Sequence, residues 1–195
     1  KKQIIVQAFL VAVSFLLIQP KNLFAKSVEV SKTYEKSYTV NSDADLNISN
    51  QFGKIDLISW DQNRVEIFIE VKVEAKNQEK ATKKLGLIEI NISGSENNVE
   101  IKTHLNKSGN FNGEFSIDMK IKAPASLNLD LENQFGDVII SEWTGPANIA
   151  VEYGTLTASK LSSEAVSIEL EFSKGNIGLL NKAEIDLQYA GKFSV

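Results

Sequence analysis

The sequence predicts an all-β protein of stacked strands, β-solenoid or β-helix-like, with a hairpin-rich sheet portion ahead of the repeats and one short helix. Three observations predict it. The tetrapeptide Asn50-Gln51-Phe52-Gly53 returns unchanged as Asn133-Gln134-Phe135-Gly136. Each copy follows an alternating run, precedes an apolar run and has a tryptophan eight residues past its phenylalanine, Trp60 and Trp143. From residue 126 an aromatic recurs at Phe135, Tyr153, Phe172 and Tyr189, at spacings of 18, 19 and 17, with a glycine close behind at Gly136, Gly154, Gly175 and Gly191. Self-similarity near a period of about 20 is the mark of supersecondary units that bury their apolar faces on one another.

Residues 1–25 read as a signal peptide. Lys1 and Lys2 open the chain, an uncharged apolar run covers 4–18, Gln19-Pro20 breaks it, and Leu23-Phe24-Ala25 offers a small residue at the cut. A spanning helix wants roughly 20 apolar residues, and Gln7 already interrupts this shorter run. No transmembrane segment is expected once the leader is removed. Its loss takes away Lys1, Lys2 and Lys21 and no acid, moving the formal charge from -4 to -7. An acidic exported chain lacks the basic footprint that nucleic-acid binding rests on. The absence of cysteine removes disulfides, zinc-thiolate sites and thiol nucleophiles together. An exported chain without disulfides fits the periplasm or surface of a bacterium better than a disulfide-stapled secreted domain.

Residues 26–125 are expected to form a β-sheet portion. Residues 28–40 read as two short strands, and Asn41-Ser42-Asp43-Ala44-Asp45 as a turn. The first copy of the tetrapeptide follows, with Gly53 at the corner between two strands. Residues 65–75 alternate strictly, Val65, Ile67, Ile69, Val71 and Val73 facing the core and Glu66, Phe68, Glu70, Lys72 and Glu74 facing outward. Residues 77–85 are the helical candidate, with Asn77 as cap and Gly86 as stop. Strands return at 87–92 and 99–105 around a turn at 94–98, a hairpin. Residues 106–113, rich in Asn, Gly and Ser, are expected to be a mobile loop, and 115–121 alternate again.

Residues 126–195 are expected to form solenoid repeats of about 18 residues. Each corner would be built from asparagine and glutamine closing the turn, the aromatic stacking inside, and glycine taking a positive backbone angle. A β-sandwich also spaces its strands at about 8–12 residues. The constant phase of the aromatic and glycine over four turns, and the lack of Asn-Gly or Asp-Gly after Asn112-Gly113, favour the coil. The sequence stops in mid-repeat, so either further turns follow or the open end binds something, self-association included.

The leader, the run Leu46-Asn47-Ile48-Ser49-Asn50-Gln51-Phe52-Gly53, the strand at 55–60, the polar helix near 77–85 and the repeats to Val195 resemble the bacterial putative-adhesin family of β-strand-repeat envelope proteins, largely a domain of unknown function. The resemblance covers most of residues 34–195. It implies a stacked-strand fold and export, and it supplies no catalytic residues.

The residues themselves offer little chemistry. His104 is the only histidine and no Gly-x-Ser-x-Gly elbow accompanies it. Asp43 and Asp45 lie in a turn without the spacing of a calcium loop. Glu169 with Glu171, and Asp130 with Glu132, stand two apart on predicted strands, where acids are normally the solvated face. Sugar cleavage needs two such acids roughly 5–10 Å apart. Trp60 and Trp143 either end the hydrophobic stack or form an aromatic platform for sugar rings or a protein partner. The expected function is that of an exported, non-enzymatic β-repeat protein, an envelope scaffold or adhesin-like surface for an envelope protein or glycan, with no cofactor. The alternative is a polysaccharide-acting β-helix enzyme.

Overall fold

The computed structural model describes residues 27–106 and 114–195. The expected leader at 1–25 and the loop expected to be mobile, apart from Asn106, lie outside the described residues. Among the described residues no helix is long and apolar enough to cross a membrane.

The strands are β1 (Val28–Thr39), β2 (Asp45–Phe52), β3 (Ile55–Trp60) and β4 (Arg64–Ala75), followed by α1 (Gln78–Leu85). Then come β5 (Ile88–Gly94), β6 (Asn98–Leu105), β7 (Phe115–Pro124), β8 (Asn128–Phe135), β9 (Val138–Trp143), β10 (Ala147–Glu152) and β11 (Thr155–Leu161). β12 (Val166–Glu171), β13 (Lys174–Ile177), β14 (Glu184–Gln188) and β15 (Phe193–Ser194) complete the chain. The expected pair of short strands within 28–40 is therefore one long strand, Val28–Thr39. The cause is pairing: β1 runs antiparallel to β4 without a break, from Val28↔Ala75 to Thr39↔Arg64. The helix falls where its caps place it. Asn77 Oδ1 accepts from the Lys80 N–H at 3.0 Å, and Gly86 closes the last turn at ordinary helical angles, its N–H reaching Thr82 O at 3.1 Å.

Two sheets share all the strands. One has the order β1-β4-β7-β3-β9-β11-β13-β15 and the other β14-β12-β10-β8-β2-β6-β5. From β8 onward consecutive strands alternate between the sheets, and each pairs in parallel with the strand one turn earlier. Paired, parallel-rich sheets around a common core are consistent with the β-helix expectation.

Residues 45–60 belong to this same stack. β2 lies between β6 and β8, and β3 between β7 and β9, all in parallel. The two tetrapeptides are thus neighbours in register, Asn50 opposite Asn133 and Phe52 opposite Phe135. The intervening chain leaves the stack, builds β4, α1, β5, β6 and β7 on its far side, and returns. There β5 pairs antiparallel with β6, and β4 antiparallel with β7 and β1.

Alternation drives the core. Inward residues form columns across the turns: Ile101, Ile48, Leu131, Ile149 and Ile168 in one sheet, and Ile121, Leu57, Ile140, Ala158 and Ile177 in the other. All are buried in one continuous cluster. The two ends of the stack differ. At the first, α1 packs on β1 and β4 with Ala81 buried, and the edge strand β1 places Lys32 and Lys36 in register with inward Val71 and Ile67. Inward-register lysine on an edge strand discourages further pairing. At the other, Ile185 and Leu187 continue the columns of Ile168 and Leu170 yet are exposed.

Candidate functional site

The repeated corner is where the chain spends its buried polar groups. Asn50 and Asn133 are both fully buried. Thr103 Oγ1 donates to Asn50 Oδ1 at 3.0 Å, and Asn50 Nδ2 donates to Asn133 Oδ1 at 3.1 Å. Asn133 Nδ2 then donates to Gly53 O at 3.1 Å and Gly136 O at 3.0 Å. The result is a chain of hydrogen bonds across three turns, which satisfies the corner carbonyls that the bend takes out of the sheets. In the next turn Val151 holds the place of Asn133. Ser173 takes over the polar duty: its hydroxyl lies 3.0 Å from Val151 O and 2.8 Å from Glu171 O, and accepts from the Gly154 N–H at 3.0 Å.

The aromatic residues do not stack inside, as expected; they stack outside. Phe52, Phe135, Tyr153, Phe172 and Tyr189 form a single file of rings, with centroids 5.1, 5.2, 4.9 and 4.8 Å apart and planes within 11° of parallel. Phe115 closes the file at the other end with a tilted contact at 4.7 Å. Phe135, Tyr153 and Phe172 are 42–47% exposed and Tyr189 is 79% exposed. The ring faces are consumed by each other, so solvent meets mostly ring edges, except at the free face of Tyr189.

Among the described residues, glycine takes the positive backbone angle at Gly53 (φ 110) and Gly136 (φ 147) only. In later turns the aromatic itself does so: Tyr153 (φ 50), Phe172 (φ 48) and Tyr189 (φ 52). A left-handed non-glycine residue costs roughly 1–2 kcal/mol, and an aromatic pair returns about 0.5–1.5 kcal/mol beyond its buried area, so the two stacking neighbours of Tyr153 and of Phe172 offset the strain, and the one neighbour of Tyr189 offsets part of it. Gly154 serves close approach instead, since a Cβ there would lie 2.0 Å from Gly136 O. Gly175 is not at a corner. It lies within β13 opposite Leu156 and Phe193, where the ring of Phe193 fills the space a side chain would need, and Ser173 stands at the corner. Gly191 donates to Ser173 O at 2.9 Å in open surroundings.

The two tryptophans part company. Trp143 is 1% exposed, and its indole N–H donates to Leu127 O at 3.0 Å. Trp60 is half-buried, donates to Arg64 O at 2.7 Å, and has Arg64 and Lys122 each 5.2 Å from its ring. Neither offers a free platform: one is core and the other is covered by cations. Acrylamide should therefore quench the emission of Trp60 and spare Trp143, and Trp60→Phe should leave a blue-shifted, poorly quenched spectrum. Equal quenching of both indoles would contradict the burial of Trp143.

The acids lie on outer faces. Ala150 stands in register between Glu132 and Glu169, and its short side chain leaves a hollow of about 210 Å³ bordered by Glu132, Glu152, Glu169 and Glu171. No lysine or arginine borders it. Asp130 is in register with Asn47 and Asn148, outside this hollow. His104 is exposed opposite Glu89 in the β5–β6 hairpin. Asp45 accepts from Asn128 Nδ2 at 3.0 Å, and the same amide reaches Asp43 O at 3.1 Å, so both residues serve the turn. One surface escaped the sequence reading. Phe68 stands exposed on the outer face of β4 among charged neighbours, beside a hollow of about 580 Å³. Its signal was a single apolar residue in the otherwise charged outward column of residues 64–74.

No family model matches the chain, and no curated protein matches it. Three bacterial proteins are among the solved structures similar over most of its length. A Clostridium sporogenes protein described as a putative cell adhesion protein covers 84% of this chain and 100% of its own, at 14% identity and a TM-score of 0.46. A Bacteroides fragilis protein described as a putative adhesin covers 83% and 95%, at 12% identity and TM-score 0.38. A Parabacteroides distasonis protein described as a putative lipid binding protein covers 85% and 96%, at 10% identity and TM-score 0.34. The chain is thus structurally similar, at low sequence identity, to bacterial proteins most of which are described as adhesins.

Proposed function

We propose that the chain is an exported β-solenoid that works without catalysis, as a bacterial envelope scaffold with an adhesin-like interaction surface. The observation that carries this reading is the outward file of five aromatic rings. Contiguous exposed apolar surface of this kind marks interaction sites in soluble proteins, and here it is mounted on register-locked strands, which hold a surface more rigidly than loops do. Gln134, Glu152, Glu171 and Gln188 each precede a ring of the file, and Glu152, Glu171 and Gln188 are in register with one another. They place amide and carboxylate groups alongside it. Such a mixed border suits a glycan or an envelope protein.

The hollow over Ala150 keeps the second reading, a polysaccharide-acting enzyme, in play, because it gathers four carboxylates. It is open and has no basic partner to bind a leaving or attacking group. A glycan array run beside a reducing-sugar release assay tests both readings. Binding without release is the expected result, weakened when Phe172 in the ring file is replaced by serine. Release of sugar that is abolished by Glu169→Gln would overturn the non-enzymatic reading.

A further inference from the structure

Of the exposed large apolar side chains among the described residues, Phe68 alone belongs neither to the ring file nor to residues 179–195. It is 39% exposed at the centre of a row on the outer face, with Glu35 of β1 on one side and Lys120 of β7 on the other, both in register. Nothing in the fold requires an apolar residue there; its neighbours along β4 are Glu66 and Glu70. The hollow above it, about 580 Å³, is bordered by Glu35, Ser37, Glu66, Phe68, Lys120 and Lys122. That is within the roughly 300–1,000 Å³ usual for ligand clefts.

One wall is fixed in place. Glu66 holds Arg64 at 2.7 Å and Lys122 at 3.6 Å, and both cations rest against Trp60. Lys120 and Glu35 enter none of the ion pairs among the described residues. The floor of the hollow therefore offers an aromatic surface, an uncommitted ammonium and an uncommitted carboxylate within one row of three strands.

We infer that this hollow is a binding site for a uronic-acid unit of an acidic glycan. The three groups match three parts of such a sugar. The apolar face of the pyranose ring lies on Phe68, the ring carboxylate pairs with Lys120 with Lys122 beside it, and ring hydroxyls donate to the Glu35 carboxylate. A neutral sugar would use Phe68 and Glu35 and leave Lys120 to water. An acidic peptide would meet Lys120 and Lys122 but would set its own carboxylates against Glu35. The site stands apart from the ring file, on strands of the other sheet's far end, and does not depend on it.

Isothermal titration with a trimer of galacturonic acid, a trimer of galactose and a short poly-glutamate peptide tests the assignment. The galacturonate trimer should bind at least about tenfold more tightly than the other two, the equivalent of one charge-assisted contact, and the preference should shrink as salt is added. Phe68→Ala and Lys120→Gln should each weaken it by about tenfold or more, while the melting temperature falls by no more than roughly 2–4 °C, because Lys120 is exposed and Phe68 is 39% exposed. Lys182→Gln, an exposed lysine distant from the hollow, should leave it untouched. No binding, equal binding of the galactose trimer, tighter binding of the peptide, or indifference to Phe68→Ala would each overturn the proposal. Glycan binding lost in Phe172→Ser but kept in Phe68→Ala would overturn it while leaving the ring-file reading standing.

Discussion

Trp143→Ala should lower the unfolding free energy by about 4 kcal/mol, the usual range for truncating a buried tryptophan being about 3–5, whereas Trp60→Ala should cost about 1. Trp143 is 1% exposed at the end of β9 and in register with Leu161 of the next turn. Its removal leaves a cavity in a column that rigid strands on both sides prevent from collapsing. It also strands Leu127 O, which receives the indole N–H at 3.0 Å, and an unsatisfied buried carbonyl adds about 1–3 kcal/mol. Trp60 is half-buried; its N–H bonds to a carbonyl that water can serve, and its cations remain paired through Glu66. For a chain of this size about 1 kcal/mol shifts the melting temperature by roughly 2–4 °C, so thermal unfolding separates the two variants clearly. Equal shifts would mean that the two tryptophans occupy equivalent surroundings, contrary to the structure.

The second large effect is expected at a glycine. Gly136→Ala should destabilise by about 3 kcal/mol or more, because overpacking and a forced left-handed side chain act together. A Cβ at Gly136 would lie 2.1 Å from Gly53 O, and its φ of 147 is one that side chains rarely adopt. The obstacle is backbone of the adjoining turn, so relief requires the turns to move apart and breaks the hydrogen bonds from Asn133 to Gly53 O and Gly136 O. Gly191→Ala is the matching control. Its Cβ would meet only the Lys174 side chain at 3.6 Å, with no positive φ, so the change should be neutral or stabilise by about 0.4–1 kcal/mol through the unfolded chain. Comparable losses from both substitutions would show that the corners are not in such close contact.

Much of this contrast was visible in the sequence, but unevenly. The helix was legible because its signals are local: Asn77 and Gly86 act within one turn of the segment they bound. Residues 65–75 were legible as a strand because alternation shows which side chains share a face. The corner was legible as a corner and misread in its direction. Phe135 and Gly136 are adjacent, and adjacency alone does not say which of the two takes the left-handed angle or whether the ring turns inward or outward. Tyr153 and Gly154 exchange those roles relative to Phe135 and Gly136 without any change of residue class. Proximity to Phe172 in the sequence suggests a corner for Gly175, whereas the register of β13 on β11 places it opposite Leu156. The site at Phe68 needed three strands, since Glu35, Phe68 and Lys120 are brought together only by the β1-β4-β7 pairing.

By itself the sequence determined the local grammar of the protein: strand alternation, a repeat near 18 residues, a capped helix and a tetrapeptide used twice. Only the tertiary structure decided that the two tetrapeptides touch. They are 83 residues apart, and Asn50 bonds to Asn133 across that distance. The chain between them leaves the stack and returns beside the turn it left. The physical reason is that parallel register is chosen by matching inward columns and buried polar partners. Those energies depend on which strands become neighbours, and alternation along one strand says which face is buried without naming the strand that will lie beside it.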